Sequence, residues 1–509
     1  MDDKKEYLHV GHAFHLTGKN RRLFRFFEIL PGALSWGTLL AVTLFSWISP
    51  IGVAIFIIVF DVYWLVKTAY LSLHLRSSWK KMQQHLKIDW TERLENLRSE
   101  NVWQLVFYPV SVEPIEMLDA TFKSLMETTW PKERMIIVLP VEGRMGELAE
   151  KQSKFITEKY GDKFGHFLVT THPEGIEGEL KGKGANASWA ARKVKELVVD
   201  KEEIPYENII VSNLDSDTQL YPQYFECLTY HFLTAEKPHR SAYQPIPIYN
   251  NNIWQAPAIA RVAAMSATYW QMMQQVRPER LTTFSSHSMS FVALCELGFW
   301  QTNMVSEDSR IFWNGLLKFD GDYRVVPLFY PVAMDANLAP TLFQTAKNIY
   351  KQQRRWTWGV ENLSYLLYGF TKNKTIPFRT KAYHVATQVE GFWSLATNPI
   401  LIFLLGWLPL MLGGIGFNST ILAYQLPRVT RTIMTLAMLG LIGSAILGMQ
   451  LMPPRPEKYH KLTWVSVILQ WILIPFMIMF FGAIPGLDAQ TRLMFGRYMG
   501  FWVTPKDKV

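Results

Sequence analysis

Residues Ile209-Ile-Val-Ser-Asn-Leu-Asp215-Ser-Asp217-Thr218 form an apolar run that leads directly into two carboxylates one residue apart. A short apolar run bounded by turn-forming residues is typical of a buried strand. Carboxylate oxygens are preferred ligands of Mg²⁺ and Mn²⁺, which bridge to substrate phosphates. Because an isolated Asp-x-Asp is often only a turn, Asp215 and Asp217 indicate a metal site only together with other features.

Other short apolar runs, at residues 102–108 and 134–139, also read as strands. Helical patterns at residues 115–128 and 185–199 lie between them. Strands that alternate with helices predict an α/β domain with a largely parallel sheet. Ligands in such sheets bind at the carboxyl ends of the strands, which is where the two carboxylates stand.

Long apolar segments occupy both ends of the chain of 509 residues, of which 49% are hydrophobic and 14% aromatic. A bilayer crossing takes about 20 apolar residues. The segments that approach this length cover residues 30–48, 51–71, 392–413, 429–451 and 464–481. The sequence therefore predicts an integral membrane protein with a polar domain between its membrane helices.

Basic residues flank the first two apolar segments, and the formal net charge is +9. This placement favours membrane lipids over nucleic acid as the partner, and by the positive-inside rule it places the domain in the cytoplasm. The membrane is expected to be the plasma membrane. Three later crossings would put the basic C-terminus outside, whereas its charge indicates the inside. The number of C-terminal crossings stays open.

The predicted organisation follows from these segments. It comprises a cytoplasmic N-terminal tail (1–28), two transmembrane helices (29–72), a linker helix (73–100), the α/β domain (101–339), interfacial helices (340–384), a C-terminal transmembrane bundle (385–485) and a basic tail (486–509).

Three more motifs have chemistry that suits a phosphorylated substrate. Glu307-Asp308 could supply a general base, although adjacent acids are usually solvated or begin a helix. In Gln352-Gln-Arg-Arg355-Trp356, arginine could clamp a diphosphate and tryptophan could present a flat face to a sugar, although interfacial helices share this composition. The loop around Lys183 could contact phosphate, but it lacks the Walker spacing.

In this order, the four features resemble glycosyltransferase family 2, especially its membrane branch of cellulose, chitin and hyaluronan synthases. The family pattern is Asp, Asp-x-Asp, Glu-Asp and Gln-(Gln/Arg)-x-Arg-Trp, and the resemblance covers residues 103–359. Lys183-Gly-Ala-Asn186 is similar to the family's loop before the Asp-x-Asp strand. One departure concerns the early Asp that contacts the nucleotide base, where this chain offers Glu142 and, further upstream, Glu113.

The resemblance implies a GT-A-type nucleotide-sugar domain between transmembrane helices and an inverting reaction. It implies that Asp217, with Asp215, holds Mg²⁺ or Mn²⁺, that Asp308 is the general base, and that Glu307 orients the loop or the acceptor. Trp356 is then expected at the acceptor. The residues expected to bind the nucleotide-diphosphate sugar are Glu113, Glu142, Lys183, Asp215, Gln352 and Arg355.

The acceptor is left with two alternatives, a growing polysaccharide, which is favoured, and a single membrane lipid. A non-catalytic pseudoenzyme and a transporter are further alternatives, the latter because Asp61 lies within an apolar segment. A polysaccharide passing through the membrane region needs a polar lining. The residues available for such a lining are Asp61, Gln388, Glu390, Trp393, Asn398 and Gln470.

Overall fold

The computed structural model describes residues 3–460 and 463–502. The chain begins with two long helices, α1 (Gly18–Ile48) and α2 (Pro50–His85). The α/β domain follows as α3 (Trp90–Leu94), β1 (Trp103–Phe107), α4 (Ile115–Met126), β2 (Met135–Glu142), α5 (Glu147–Tyr160), β3 (His166–His172), α6 (Lys183–Val194), β4 (Ile209–Asn213), β5 (Gln219–Leu220), α7 (Tyr224–Thr234), β6 (Ser241–Tyr249), α8 (Ala258–Gln275), β7 (His287–Ser290), α9 (Phe291–Leu297), α10 (Glu307–Lys318) and β8 (Arg324–Met334). The remaining helices are α11 (Leu342–Thr357), α12 (Glu361–Lys372), α13 (Phe378–Phe403), α14 (Leu408–Leu412), α15 (Gly414–Asn418), α16 (Ile421–Leu451), α17 (Thr463–Leu469), α18 (Ile474–Ile478) and α19 (Ile484–Met494).

The strands form one mixed sheet in the order β3-β2-β1-β4-β7-β6-β8-β5. β1 pairs in parallel with β2 and β4, β2 with β3, and β6 with β8. β7 is antiparallel to β4 and β6, and β5 is antiparallel to β8. The expected α/β domain between apolar helices is confirmed, but the largely parallel sheet is right only for the first four strands. The chain enters β7 at the edge where β4 ends, with His287 opposite Asn213, so this pair must be antiparallel.

Two apolar layers cover the two faces of the sheet. Successive side chains of a strand point to opposite faces. Leu105 and Phe107 of β1 accordingly pack with α6, α9 and α10, while Val106 and Tyr108 pack with α4, α5 and α7. Because β1, β2 and β4 are parallel, the loops that follow them meet at one edge of the sheet, and this edge carries the predicted carboxylates.

Four helices in the described part of the chain are long and apolar enough to cross a membrane, or five if a helix pair bent by 48° counts as one span. Among them, α1 and α2 form a helical hairpin, with Ser49 between the two helices. The domain end of α2 is fixed by a 2.8 Å hydrogen bond between His85 Nδ1 and Leu328 O. Away from the domain, Leu39, Ala54 and Leu401 of α1, α2 and α13 share an apolar cluster with Leu426 of α16.

Helices α13 and α16 form a second pair that leaves the domain and returns to it. His384, near the start of α13, packs 5.6 Å from Trp313 of the domain, and Leu401 reaches the distant cluster. At the other end of α16, Tyr269 Oη donates to Ser444 O at 2.6 Å and Asn250 Nδ2 donates to Leu451 O at 3.1 Å. These contacts place both outer ends of the pair beside the domain.

The last apolar segment, predicted at residues 464–481, falls within 463–494, which is one of the four stretches long and apolar enough to cross a membrane. Whether it crosses stays open, but both of its ends contact the domain. Near its start, Arg261 Nε donates to Gln470 Oε1 at 2.6 Å. Near its end, Arg354 Nη1 donates to Asp488 Oδ2 at 2.9 Å. Since Arg261 and Arg354 lie on α8 and α11, this broken helical segment runs along the domain. Composition alone could not reveal this, because a helix lying along an apolar boundary is as apolar as a spanning one.

Helix boundaries also differ from the predicted segments. Residues 29–72 and 73–100 were predicted as two membrane helices and a separate linker helix, but α2 continues without a break to His85 and α3 is a single short turn. The segment 340–384 was predicted as interfacial, but α12 is mostly buried against the domain and α13 already begins at Phe378, after Pro377. Proline before the first helical turn is a common start signal. Part of the predicted basic tail, residues 503–509, lies outside the described residues.

Polar residues proposed for a membrane lining mostly bond to neighbouring helices. Glu390 pairs with Lys67 of α2, and Trp393 Nε1 donates to Thr38 Oγ1 of α1 at 3.0 Å. Asp61 bonds to Thr430 of α16. These three groups therefore hold the membrane helices together, which satisfies polar groups that are costly in lipid.

Candidate active site

Asp215 and Asp217 follow β4 and face different partners. Asp215 Oδ1 lies 2.6 Å from Lys183 Nζ, and its Oδ2 accepts a hydrogen bond from Ser285 Oγ at 2.8 Å. Asp217 is only 2% exposed, and its Oδ2 accepts the backbone N–H of Asp335 at 3.1 Å. The pair is therefore fixed from both sides by the loops that precede β7 and follow β8.

Lys183 begins α6 and joins two carboxylates that are distant in sequence. Its ammonium lies 2.6 Å from Asp215 Oδ1 and 3.0 Å from Asp308 Oδ1. Burial lowers the pKa of Lys183, but the two carboxylates outweigh burial and raise the pKa above its ordinary value. The ammonium of Lys183 therefore stays charged near neutral pH.

Glu307 and Asp308 form the first turn of α10, where negative charge interacts favourably with the helix dipole. Asp308 is partly exposed and faces Lys183, whereas Glu307 is 2% exposed. Burial, and then the charge of Asp308, raise the pKa of Glu307 to about 8. The two adjacent acids therefore differ: near neutral pH the buried Glu307 holds its proton.

His287 lies behind Asp308, with its Nδ1 3.9 Å from Asp308 Oδ1. Burial lowers the pKa of His287, so the ring is neutral at neutral pH. Its Nδ1 lies 2.8 Å from Phe284 O and its Nε2 accepts from Trp300 Nε1 at 3.3 Å. These two bonds assign the proton to Nδ1. Because both ring nitrogens are occupied, His287 packs against the site and does not act as a general acid or base.

Glu361 fixes the loop that leads into α10. Its Oε1 accepts the backbone N–H of Ser306 at 3.0 Å and of Val305 at 3.3 Å. Its Oε2 accepts Trp358 Nε1 at 2.9 Å. Glu361 thereby ties the start of the Glu307-Asp308 helix to the residues immediately after the Gln-Gln-Arg-Arg-Trp motif.

The Gln-Gln-Arg-Arg-Trp motif lies at the end of α11, and its two arginines contact different parts of the protein. Arg354 bonds to Asp488 of α19, as described above, whereas Arg355 stacks 4.9 Å from the ring of Phe501. Trp356 remains 38% exposed and lies 6.0 Å from the ring of Tyr249. Arg355 and Trp356 thus face the site, and Arg354 anchors the helix.

The C-terminal segment contacts α11 and the loop that precedes α6. A Cβ at Gly182, whose φ is +153°, would come within 2.6 Å of the Phe501 ring. Trp502 lies 5.1 Å from Lys351 Nζ, and Tyr498 Oη bonds to Glu28 Oε2 at 2.8 Å. Residues 498–502 therefore lie beside the domain and the domain end of α1.

The two glutamates expected at the nucleotide lie at the same edge of the sheet but are already paired. Glu113 Oε2 accepts the Ser111 N–H at 2.6 Å, and Oε1 accepts Ser216 Oγ at 3.0 Å. Glu142 ends β2 and pairs with Arg144. Since Ser216 stands between the two aspartates, Glu113 touches the Asp-x-Asp loop itself. Whether either glutamate binds the base stays a prediction.

The structure brings together Lys183, Asp215, Asp217, Glu307 and Asp308, with Arg355 near Glu307. Sequence reasoning missed three polar contributors: Ser285, Tyr249 and Glu361. Ser285 precedes a strand with no acidic or basic motif, and Tyr249 ends an ordinary apolar strand. Glu361 lies five residues after Trp356, and the only available signal was an acid within an otherwise apolar helix.

The donor set suits a hard divalent cation. In the described residues, no three His, Cys, Asp or Glu side chains gather into a complete metal site. Mg²⁺ typically takes one or two protein carboxylates and completes its shell with water and substrate phosphates. Asp215 and Asp217 supply that number of carboxylates, so the residues fit a metal that arrives with a diphosphate.

An α/β domain with such a site at its strand ends, joined to long apolar helices, defines a membrane-associated enzyme of phosphorylated substrates. The family described as glycosyl transferase family group 2 matches residues 210–484, more than half of the chain. The chain therefore belongs to this family of glycosyltransferases, which confirms the expected family and enzyme class. A search of curated proteins found no match.

Several solved structures are similar to this chain. The mannosyltransferase PcManGT from Pyrobaculum calidifontis, in complex with GDP-Man and Mn²⁺, is 12% identical, with 77% of this chain and 99% of that chain covered and a TM-score of 0.41. S. aureus TarS 1-349 in complex with UDP-GlcNAc is 11% identical, covers 78% of this chain and 91% of its own, and has a TM-score of 0.38. GalNAc-T7 with UDP, GalNAc and Mn²⁺ is 11% identical, covers 57% and 58%, and has a TM-score of 0.35.

Proposed function

We propose that this glycosyltransferase moves a sugar from a nucleoside-diphosphate sugar to a growing polysaccharide at the cytoplasmic face of a membrane. The observation that supports this most is the contact of one ammonium, that of Lys183, with both Asp215 and Asp308. The expected metal ligand Asp215 and the expected general base Asp308 therefore both contact the same ammonium group. A sugar between them would meet both groups at its anomeric carbon.

The donor diphosphate is assigned to the edge formed by Lys183, Asp215 and Asp217. Asp217 and Asp215 would hold Mg²⁺ or Mn²⁺ there, and the bound metal neutralises charge on the leaving diphosphate. Lys183 adds a positive charge on the same side. Gln352 and Arg355 approach from α11 and cover the diphosphate, with Arg355 able to donate two parallel hydrogen bonds.

Asp308 is the proposed general base. In an inverting displacement, an acceptor oxygen attacks the anomeric carbon, the bond to the diphosphate breaks, and the acceptor proton passes to Asp308. The neighbouring Glu307 is a poor competitor for that proton, because its raised pKa keeps it protonated near neutral pH. Glu307 instead packs against α6, where a Cβ on Gly184 would come within 3.0 Å of it.

The contacts of the helices support a proposed topology with four crossings. In it, the pairs α1/α2 and α13/α16 each leave the domain and return, while 463–494, although apolar enough to span, lies along the domain. The clusters Lys19–Arg25 and Lys80–Lys81 lie at the domain ends of α1 and α2. By the positive-inside rule this end is cytoplasmic, so the C-terminal residues also lie inside. In this proposed topology the basic tail lies inside, as its charge indicates.

A membrane lipid is the second candidate acceptor. It is favoured by the position of α8, which packs on both the sheet and the membrane helix α2, and so places the acceptor side close to lipid. Product size separates the candidates. Purified protein is incubated with labelled nucleotide sugars, and the labelled product is sized over time. Chains that lengthen with time support polysaccharide extension, and a single sugar in an organic-extractable product contradicts it.

A further inference from the structure

Arg310 is a buried cation that lies two residues after the proposed base Asp308, on the same helix α10. Its side chain is 0% exposed, and in the described part of the chain it forms no ion pair with a carboxylate. Its guanidinium carbon lies 3.8 Å from the centre of the Tyr365 ring, and its Nε donates to Asn362 Oδ1 at 2.6 Å. A buried charge is costly unless hydrogen bonds replace its hydration. Because Arg310 has no role in the site described above, its burial needs a separate explanation.

The other hydrogen bonds of Arg310 reach the N-terminal segment (residues 3–16) and the loop that precedes α10. Its Nη1 donates to Val10 O at 3.2 Å and to Gln301 Oε1 at 3.2 Å. Within the residues that the structure describes, Nη2 has no hydrogen-bond partner. Since the cation is already short of acceptors, the loss of the Val10 carbonyl would be costly. A residue 300 positions earlier in the chain therefore helps to hold Arg310 in place.

The N-terminal segment packs closely against the domain. Leu8 O accepts a hydrogen bond from Tyr365 Oη at 3.2 Å. A Cβ at Gly11 would come within 2.7 Å of Asn303 O, so the segment fits tightly on the loop before α10. Four residues of the segment are buried in the apolar cluster that also contains side chains of α10, namely Tyr7, Leu8, Val10 and Ala13.

The same segment also contacts the far end of α10. Lys5 Nζ donates to Lys318 O at 2.8 Å and to Asp320 Oδ1 at 2.9 Å. A cation at a helix C-terminus satisfies terminal carbonyls and interacts favourably with the helix dipole. The helix has 12 residues, which corresponds to a length of about 18 Å. The N-terminal segment therefore holds α10 near both ends, through Lys5 at one end and through Arg310 at the other.

The contacts of the N-terminal segment concern the base and not the donor. His12 Nε2 lies 3.9 Å from Glu361 Oε2, and Glu361 accepts the backbone N–H of Ser306, just before α10. Among the described residues, no hydrogen bond or ion pair joins the segment to the groups proposed to hold the metal or the diphosphate. The segment is therefore bonded to residues on both sides of Asp308 and is separate from the donor site.

We propose that the N-terminal segment positions the general base, and that Arg310 is the positioning residue through which the segment holds Asp308. The proposal rests on the proposed function, because it requires that Asp308 takes the acceptor proton. The segment itself does not touch the substrate. A displacement of α10 would move the carboxylate of Asp308 away from the acceptor oxygen, and a misplacement of about 1 Å can cost about 10²-fold in rate.

The test measures sugar transfer in membranes that contain the full-length protein and its native acceptor. The donor probes are a panel of labelled UDP- and GDP-sugars. Gly11→Ala pushes the segment away from Asn303 and leaves every side chain of α10 unchanged. Gly37→Ala is the matched control, since it adds the same methyl group where nothing lies within 4 Å.

A second variant acts on the same contact from the helix side, in case Gly11→Ala does not fold. Arg310→Lys keeps the positive charge but cannot bond to Asn362 and Val10 in the same way. Its control is Arg324→Lys, which changes an exposed arginine paired with Glu236. Both test variants are also made in the Asp308→Asn background.

Gly11→Ala and Arg310→Lys are expected to lower kcat by about 10- to 100-fold at unchanged donor KM, and the two controls leave both values unchanged. In the Asp308→Asn background neither change should lower kcat further, because the group that it misplaces is already absent. An unchanged kcat, a parallel rise in donor KM, or an equal further loss in the Asp308→Asn background overturns the positioning role. No cleavage of any nucleotide sugar by the wild type, or wild-type transfer by Asp308→Asn alone, would instead reject the proposed function, and the positioning role with it.

Discussion

The ammonium of Lys183 lies 3.0 Å from the carboxylate of Asp308, although 125 residues separate them in sequence. The same ammonium bonds to Asp215, so one cation sits between a carboxylate expected to bind metal and one expected to take a proton. In the proposed reaction, a donor diphosphate bound at Lys183 would take over part of this attraction. Donor binding would then be linked to the freedom of Asp308 to accept a proton.

The buried acid next to Asp308 predicts a pH-dependent stability. Glu307 ionises near 4.5 when unfolded and at about 8 when folded. Between these values the unfolded chain loses the proton and the folded chain keeps it, so the contribution of Glu307 to stability is fully present below pH 4.5 and is lost as the pH rises through 8. The fall is at most about 1.4 kcal/mol per pH unit. Glu307→Gln should flatten the dependence of unfolding free energy on pH, measured by thermal unfolding of donor-free protein. Glu158→Gln, which changes an exposed acid, should not. Parallel pH dependences for wild type and Glu307→Gln would contradict the account.

Glu361 is predicted to act through the loop that it holds. Glu361→Leu leaves the N–H groups of Val305 and Ser306 unpaired, which costs about 1–3 kcal/mol of folding free energy. The shift of Asp308 should lower kcat by about 10²-fold while donor KM changes little, because small misplacements of catalytic groups are costly. Glu361→Gln keeps an acceptor oxygen and should recover most of kcat. Equal losses in kcat and donor affinity for both variants would point to a general folding defect instead.

Metal use is predicted to depend on Asp217. Asp217→Asn keeps an oxygen for the Asp335 N–H but removes the negative charge that a divalent cation needs. The Mn²⁺ or Mg²⁺ concentration at half-maximal activity should rise by about tenfold or more. Asp322→Asn, which alters a surface carboxylate paired with Lys237, is the control. Full wild-type activity in excess chelator would falsify the metal role.

The four-crossing topology predicts which residues an impermeant thiol reagent can reach. A cysteine at Asn418, the last residue of α15 in the connection between α13 and α16, should label from outside intact cells. Cysteines at Lys201 and Lys458 should label only after the membrane is opened. The native Cys227 is buried and Cys295 is partly exposed, so the parent protein needs Cys295→Ser. A cysteine at Arg497, after the 463–494 segment, should also label only after the membrane is opened. Labelling of Arg497→Cys from outside would restore the third C-terminal crossing.

The local patterns in the sequence located most of the α/β domain. The apolar runs before Tyr108 and Asp215 became β1 and β4, because short apolar runs with flanking turn residues are strong local signals. β7 was missed because His287–Ser290 is polar and short, and its burial comes from pairing with β4 and β6. Such pairing depends on residues far away in the chain and leaves no local pattern.

The candidate site was predictable where residue types are chemically distinctive. Carboxylates and the Gln-Gln-Arg-Arg-Trp motif could be found by their order, but their partners could not. Nothing in the sequence shows that Arg354 pairs with Asp488 while Arg355 faces the site. The contacts of the 463–494 segment were unpredictable for a related reason: its composition fits a membrane, and only the structure shows its ion pair with Arg354 and its bond to Arg261.

The role of Asp308 in sugar transfer is tested most directly by comparing wild type and Asp308→Asn with labelled nucleotide sugars. The account predicts that wild-type protein releases the nucleoside diphosphate and transfers the label to acceptor. Asp308→Asn should bind donor normally but transfer about 10²–10⁴-fold more slowly, which is the usual contribution of a general base. Near-normal transfer by purified Asp308→Asn, with the wild type measured alongside, would contradict the central claim.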